Sequence, residues 1–339
     1  MIIHHQMEKT LEVVSKLNYR NFEESDIDGI LKLWKEESGW GEITLDQFND
    51  WYINTPYGRS IVVVAADDEN KIVGQIVYSP SRMIVDNVEI KSLRASAPII
   101  DSNIRQANLR TFDHPAFGLI KKGFEIATEK GFQYIYTFPS YGWLGMLQLF
   151  PRLMPNPCET VSYDCFAISL EDTETFSSLK NDHHVIIASD ITKEYDELWQ
   201  DAIKEMPIKC GIARHSKWLK YGIGPQLLLE TRTAADNKLL GYITIKKDTG
   251  LITDILARNA GDLKHVFNSS LHAMHHQSKK IPVAFTHLKG MLTKNIEPII
   301  SENGFSLDSY RFAFGGYLLD TTIDFEKIKA ENWYMTPFG

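Results

Sequence analysis

A chain of 339 residues, 43% hydrophobic and 24% charged, is long enough for two domains and has the composition of an ordinary globular protein. Its net charge of −8 speaks against general nucleic-acid binding, which needs a basic surface, and no apolar run approaches the roughly 18 residues of a membrane span. Cys158, Cys165 and Cys210 form no CxxC pair and no metal spacing, and "MIIHHQMEKT" lacks a secretory apolar core, so reduced thiols and a cytoplasmic location are expected.

In chain order, "DIDGILKLWKEES" (26–38) reads as a helix, and "GWGEITLDQFNDWYINTPYG" (39–58) follows with Trp40, Trp51 and Tyr52. "SIVVVAADDENKIVGQIVYS" (60–79) is a strand, a polar turn and a strand. "ASAPII" ends another strand at Ile100 and gives way to a long polar stretch, "DSNIRQANLRTFDHP", where a strand-to-helix connection ordinarily takes two to six residues. The stretch is either a functional loop or a surface insertion with solvated arginines. "FGLIKKGFEIATEKG" then forms an amphipathic helix, with Phe117, Ile120, Phe124 and Ala127 on one face, Asp113 as its expected N-cap and Pro115 in the first turn. "FQYIYTF" is a strand, "GWLGMLQLFPRLMP" an apolar core segment or lid, "SYDCFAISL" a last strand, and 171–184 a polar linker between domains 1–170 and 185–339.

The second domain repeats the first. Lys71-Ile72-Val73-Gly74-Gln75-Ile76 matches Lys238-Leu239-Leu240-Gly241-Tyr242-Ile243, 167 residues later, and Leu33-Trp34 matches Leu198-Trp199, 165 residues later. "DLKHVFNSSLHAMHHQSKK" is the second domain's helix and "IPVAFTH" its strand; the second copy omits most of the polar stretch after the hairpin. Hairpins joined by crossover helices give a mixed α/β sheet in each domain. His272, His275 and His276 share a helix but have no fixed acidic or cysteine partner, and a solvated face is expected there. The aromatic tail "ENWYMTPFG" is expected to dock rather than fray.

These features resemble the Gcn5-related N-acetyltransferases (GNAT), most clearly over 19–167 and in outline over 186–320, and the chain looks like two such acyl-CoA N-acyltransferase folds in tandem. The family's phosphate box is Arg/Gln-x-x-Gly-x-Gly/Ala between a strand and a helix. Arg105-Gln106-Ala107-Asn108-Leu109-Arg110 occupies that position, with Arg105 on the first place, Asn108 replacing the first glycine and Arg110 the second small residue. Asn tolerates left-handed angles, and an arginine can hold phosphate through charge-assisted hydrogen bonds.

The resemblance implies acetyl-CoA or another acyl-CoA as co-substrate and a primary amine of a small molecule as acceptor, with no metal, nucleic acid or membrane involved. It also implies pantetheine pairing along Ser96, Ala97, Ile99 and Ile100, diphosphate at residues 105–110, and acceptor contacts from the segment carrying Trp40, Trp51 and Tyr52. Glu89 and Asp101 are its candidate bases, or else ordinary edge and loop carboxylates. Phe150 stands where the family often carries its tyrosine acid, leaving Tyr141, otherwise a turn aromatic, as the substitute. The departures from the box and the missing acid leave a non-catalytic binding or scaffold protein as the alternative. A transferase using aminoacyl-tRNA is a third reading, disfavoured by the acidic charge.

Overall fold

The computed structural model describes residues 16–105, 113–152, 154–169, 183–206, 208–224, 226–276, 287–291 and 296–336. They fall into two compact units interleaved along the chain. The first comprises Met1–Arg82, Lys91–Thr137 and Tyr317–Thr322; the second comprises Met83–Ile90, Phe138–Gly316 and Ile323–Gly339. The linker 171–184 lies outside the described residues apart from His183 and His184.

In the first unit, strands β1 (Asn18–Asn21), β2 (Ile61–Ala66), β3 (Ile72–Val85) and β4 (Val88–Ile100) are neighbours in that order, and β5 (Tyr134–Thr137) joins β4 in parallel. A parallel partner requires a crossover, which the helix Pro115–Glu129 supplies. Helices α1 (Ile27–Glu37) and α2 (Leu45–Phe48) lie in sequence between β1 and β2, and the short α3 (Ser102–Arg105) precedes the crossover helix, α4. β2 is buried along its whole length, as its run of β-branched residues anticipates.

β3 and β4 extend well past the hairpin boundaries expected from sequence. They meet at Asp86-Asn87, whose φ values of 46° and 66° are those of a two-residue type I′ turn. The sequence signal was the Asp-Asn pair between "MIV" and "VEI". Glycines let α4 lie flat on the sheet: a Cβ at Gly123 would fall 2.2 Å from the ring of buried Tyr78, and one at Gly118 would fall 2.3 Å from Tyr19.

The N-cap of α4 is His114 rather than Asp113, because Pro115 takes the first helical position and the cap is the residue before it. His114 Nδ1 accepts the Ala116 N–H at 3.2 Å, which requires a neutral ring. Burial holds its pKa below the ordinary 6.5. A folded-state pKa below the unfolded one contributes stability at pH above 6.5 that is lost as pH falls through the folded value. Urea midpoints should therefore drop between pH 7.5 and 5 in the wild type and drop less in His114→Asn, which caps without titrating. Parallel profiles would show that the cap is not the titrating group.

In the second unit, α5 (Leu144–Leu147) precedes β6 (Cys158–Ser169). β7 (His183–Ile187), β9 (Leu227–Thr233), β10 (Leu239–Ile245) and β11 (Ile252–Ala257) form a four-stranded antiparallel sheet. Its order repeats that of β1 to β4. Helices α6 (Glu194–Glu205) and α7 (Ser216–Ile223) occupy the place of α1 and α2 in chain order, and α8 (Ala260–His276) follows β11 as α4 follows β4. Leu33, Trp34, Leu198 and Trp199 are all buried, the four landmarks of the repeat. Between β11 and α8 stand only Arg258 and Asn259, whereas residues 101–114 separate β4 from α4.

β8 (Cys210–Ile212) pairs with Met83–Val85 at the far end of β3 and, in parallel, with β14 (Trp333–Tyr334). β6 lies between β12 (His287–Met291) and β13 (Ser306–Leu318) in the second unit, where α9 (Glu297–Glu302) precedes β13. The expected strand "IPVAFTH" falls, but for His287, outside the described residues. The C-terminal segment docks: Trp333 and Tyr334 are 3% and 1% exposed. All three cysteines are free thiols, and burial pushes the Cys210 thiol well above its ordinary pKa. Among the described residues no helix is long and apolar enough to cross a membrane.

Candidate functional site

β4 is in register with β5 only over Ser92–Arg94, after which Thr137 Oγ1 donates to the Ala95 carbonyl at 3.0 Å and β5 ends. β4 continues to Ile100. On the opposite side it stays tied to β3: Gln75 Nε2 reaches the Ala97 carbonyl at 3.5 Å, and the Asp101 N–H donates to Val73 O at 2.9 Å. The continuation, Ala95–Ile100, is thus a strand that outlasts its parallel partner.

Within it Ala97 has φ of +48°, a left-handed conformation that costs a non-glycine residue about 1–2 kcal/mol. Pro98 follows and removes one ladder donor, which restricts it to an edge or a bulge. A proline inside a strand pattern is the one local sign of this kink; the positive φ itself had none. A kinked, half-unpaired strand presents peptide groups to a ligand. Ala97 and Ile99 are buried against the core of α1 and α2, together with Leu33 and Trp34.

Beyond Ile100 the chain turns at Asp101, whose carbonyl accepts the N–H groups of Ile104 and Arg105. The Asp101 carboxylate accepts from the Asn103 N–H and Nδ2, each at 3.0 Å, and from Lys71 Nζ at 3.2 Å. Burial pushes its pKa up, but these partners outweigh burial and hold it below the ordinary aspartate value. Such a carboxylate is a poor proton acceptor and a good anchor for α3. Arg105 closes α3 with its guanidinium half-exposed and 3.9 Å from Glu37. Glu37, which sequence reasoning passed over, also takes the Ser102 N–H at 3.0 Å and its hydroxyl at 3.1 Å. Gln106, Ala107, Asn108, Leu109 and Arg110 lie outside the described residues.

A cleft of about 180 Å³ runs beside these groups, lined among others by Asp26, Lys32, Glu36, Glu37, Lys71 and Asp101. Asp26 is engaged by the Arg20 guanidinium, whose hydrogen bonds lower its pKa against the opposing effect of burial. Gly29 lets α1 approach the start of β3, since a Cβ there would meet Ile72 at 2.7 Å.

The other two nominated groups belong to the second unit. Glu89, near the tip of the β3–β4 hairpin, is hydrogen-bonded at 2.8 Å to His215 Nε2. Tyr141 is 44% exposed, with the Arg311 guanidinium 5.8 Å from its ring centroid. Phe150 is buried. His272, His275 and His276 stand with ring centroids 4.2 and 4.6 Å apart, and among the described residues no group of three or more ligands suits a metal ion.

A four-stranded antiparallel run, a fifth parallel strand reached through a crossover helix, and a kinked fourth strand outlasting the fifth make a specific combination. The chain has the Gcn5-related N-acetyltransferase fold. Solved structures agree. A Gcn5-related N-acetyltransferase from Anabaena variabilis superposes with a TM-score of 0.63 at 12% identity, covering 90% of this chain and 73% of its own. One from Kribbella flavida gives 0.58 at 10% identity, covering 90% and 71%. Saccharomyces cerevisiae N-myristoyltransferase with bound myristoyl-CoA gives 0.57 at 9% identity, covering 89% and 83%. No family model and no curated protein matches the sequence. At identities of 9–12% the likeness is one of fold.

Proposed function

We propose that the protein is an acyl-CoA-dependent N-acyltransferase whose first unit carries the site, the second GNAT-like copy having lost its phosphate loop. Supporting this reading above all is the strand edge Ala95–Ile100, kinked at Ala97 and followed by the α3 turn and the Arg105–Arg110 stretch. Pantetheine would pair along Ser96, Ala97, Ile99 and Ile100, and the diphosphate would lie at residues 105–110. A backbone N–H of β4 would stabilise the oxyanion formed when a neutral amine attacks the thioester carbonyl. The C–N bond then forms, the C–S bond breaks, and the thiolate takes the proton the nitrogen releases. The bound acyl chains of the yeast neighbour leave acetyl and longer groups both open as donors, and a cytoplasmic setting suits either. In the second copy the two-residue connection Arg258-Asn259 is occupied: Arg258 Nε donates to Leu239 O at 2.6 Å, and Asn259 caps α8.

Thermal unfolding with a panel of acyl-CoA thioesters tests the reading. At a hundredfold excess over Kd a ligand specific to the native state adds about 2.7 kcal/mol, a rise in Tm of several degrees. Arg105→Ala with Arg110→Ala should remove most of that rise, and Ala97→Val, a β-branched residue at positive φ, should reduce it. No rise with any acyl-CoA would overturn the proposal. A second reading, a non-catalytic acyl-CoA-binding protein, is favoured by one observation: Asp101 is committed to Lys71 and Asn103, Glu89 to His215 and Tyr141 to Arg311. Release of CoA thiol in the presence of an amine separates the two, since binding without release identifies the second.

A further inference from the structure

We propose that Gln75 is a positioning residue of the acyl-donor site: its side-chain amide turns the Ala97 carbonyl away from the open edge of β4, clearing that edge for the thioester oxygen. This deepens the acyltransferase reading and rests on it for the ligand.

Alternate residues of a regular strand send their carbonyls to the same edge. β4 departs from that rule. The Ala95 carbonyl accepts from Thr137 Oγ1 at 3.0 Å, on the β5 side, whereas the Ala97 carbonyl is met from the β3 side by Gln75 Nε2, at 3.5 Å. Asp101 keeps the sense of Ala97, its N–H donating to Val73 O on β3 at 2.9 Å. The strand has therefore reversed between Ala95 and Ala97, at the residue whose φ is +48°. Alanine does not favour that angle, and a residue before proline is ordinarily extended, so the kink is held from outside its own segment.

Gln75 is the side chain that meets it. The residue is fully buried in the middle of β3, and its Oε1 has no donor among the described residues. A buried amide with one long contact and an orphaned oxygen costs stability where an apolar side chain of the same size would not. A local rule broken at such a cost points to function. The second copy lacks both features. Tyr242 stands at the repeat position of Gln75 and donates to Asp254 Oδ2 on the neighbouring strand at 2.6 Å, and that carboxylate is also held by Arg214 and Thr336. β11, despite a register shift opposite Thr244 and Ile245, contains no residue of positive φ. Amide and kink thus occur together in one copy and are absent together from the other. On the open edge the Ala97 carbonyl would set its negative end against a thioester oxygen. Turned toward β3 before any ligand arrives, it leaves an edge that can donate, which is electrostatic preorganisation.

Two ligands offered to the full chain test this: the acyl-CoA that raises Tm most, and its thioether counterpart, in which a methylene replaces the carbonyl. The wild type should bind the thioester more tightly. Gln75→Met, close in volume and without the amide, should lose about fivefold or more in affinity for the thioester, the worth of one net hydrogen bond, and keep its affinity for the thioether. Gln75→Leu should repeat the pattern. Without ligand both variants should unfold at the wild-type temperature or above it. Equal weakening of the two ligands would assign Gln75 to packing and overturn the proposal, as would a wild type with no preference for the thioester or variants less stable than wild type. If wild type and variants prefer the thioester equally, this inference alone falls. If the wild type binds neither ligand, the acyltransferase reading falls and this inference with it.

Discussion

Asp254→Ala is expected to destabilise the second unit by about 3–5 kcal/mol, the cost of leaving a buried charge without its partner. Asp254 and Arg214 are both fully buried. Arg214 Nε donates to both carboxylate oxygens at 3.0 and 3.1 Å, Nη1 to the Ile212 carbonyl at 2.9 Å, and Nη2 to Thr336 Oγ1 at 3.2 Å. The carboxylate also accepts Tyr242 Oη at 2.6 Å and Thr336 Oγ1 at 2.9 Å. The Arg214 guanidinium lies 4.9 Å from the Tyr334 ring centroid. Burial lowers the Arg214 pKa, but the Asp254 charge more than offsets it and keeps the guanidinium protonated. Without Asp254 the guanidinium still keeps its proton, because arginine is intrinsically too basic to shed it in a protein, so neutralisation does not relieve the orphaned cation.

Because Thr336 and Tyr334 sit in the C-terminal segment, the same change should loosen that segment, read as faster amide exchange at Trp333 and Tyr334. Urea unfolding should show the full loss in Asp254→Ala and a clearly smaller one in Arg214→Met/Asp254→Leu, which removes both charges and keeps the volume. Equal losses in the two variants would mean that packing, not the unpaired charge, carries the effect.

Gly241→Ala should be the second severe change, and its repeat counterpart Gly74→Ala a mild one. A Cβ at Gly241 would stand 2.2 Å from the Leu256 carbonyl oxygen, 2.7 Å from Val266 Cγ2 and 2.9 Å from Ala257 Cα. Two of those three are backbone atoms of the adjacent strand β11, so relief requires moving the sheet. At Gly74 the nearest atom is Leu119 Cδ1 at 3.3 Å, the movable end of a side chain. Overpacking of this kind costs about 1–3 kcal/mol, and backbone contact puts Gly241 at or above the upper end, while Gly74→Ala should stay below about 1 kcal/mol. Denaturation midpoints of the two variants check the ordering. A reversal would show that the two hairpins are not packed as described against α4 and α8.

The GNAT fold was legible where it depends on local patterning. The hairpins at 60–79 and 226–247 announced themselves by β-branched runs and polar turns, and the crossover helices by periodicity. The repeat was carried by Leu33-Trp34 against Leu198-Trp199 and by Gly74 against Gly241. These positions are constrained by what each copy must do on its own, burying one helix face and admitting one helix onto a strand. The extension of β3 and β4 through Asp86-Asn87 was legible too and was missed, because the expected hairpin stopped at Ser79.

Pairings between residues far apart in the chain belong to the tertiary structure. In the sequence Asp101 is a candidate base or an ordinary loop carboxylate; the fold brings Lys71, thirty residues earlier, beside it, and sets Glu89 against His215 and Tyr141 against Arg311. Nothing in a short window of sequence records a partner's distance, and burial of a charge such as Arg214 follows only from where the chain closes over it. The amino-acid sequence alone determined the two hairpins, the crossover helices and the echo between the two halves, because periodicity and turn chemistry act within a few residues. The left-handed backbone at Ala97, the engagement of each nominated acid and base, and the gathering of Trp34, Trp40 and Trp51 were decided by the fold, because each depends on long-range contacts that local preference neither specifies nor opposes.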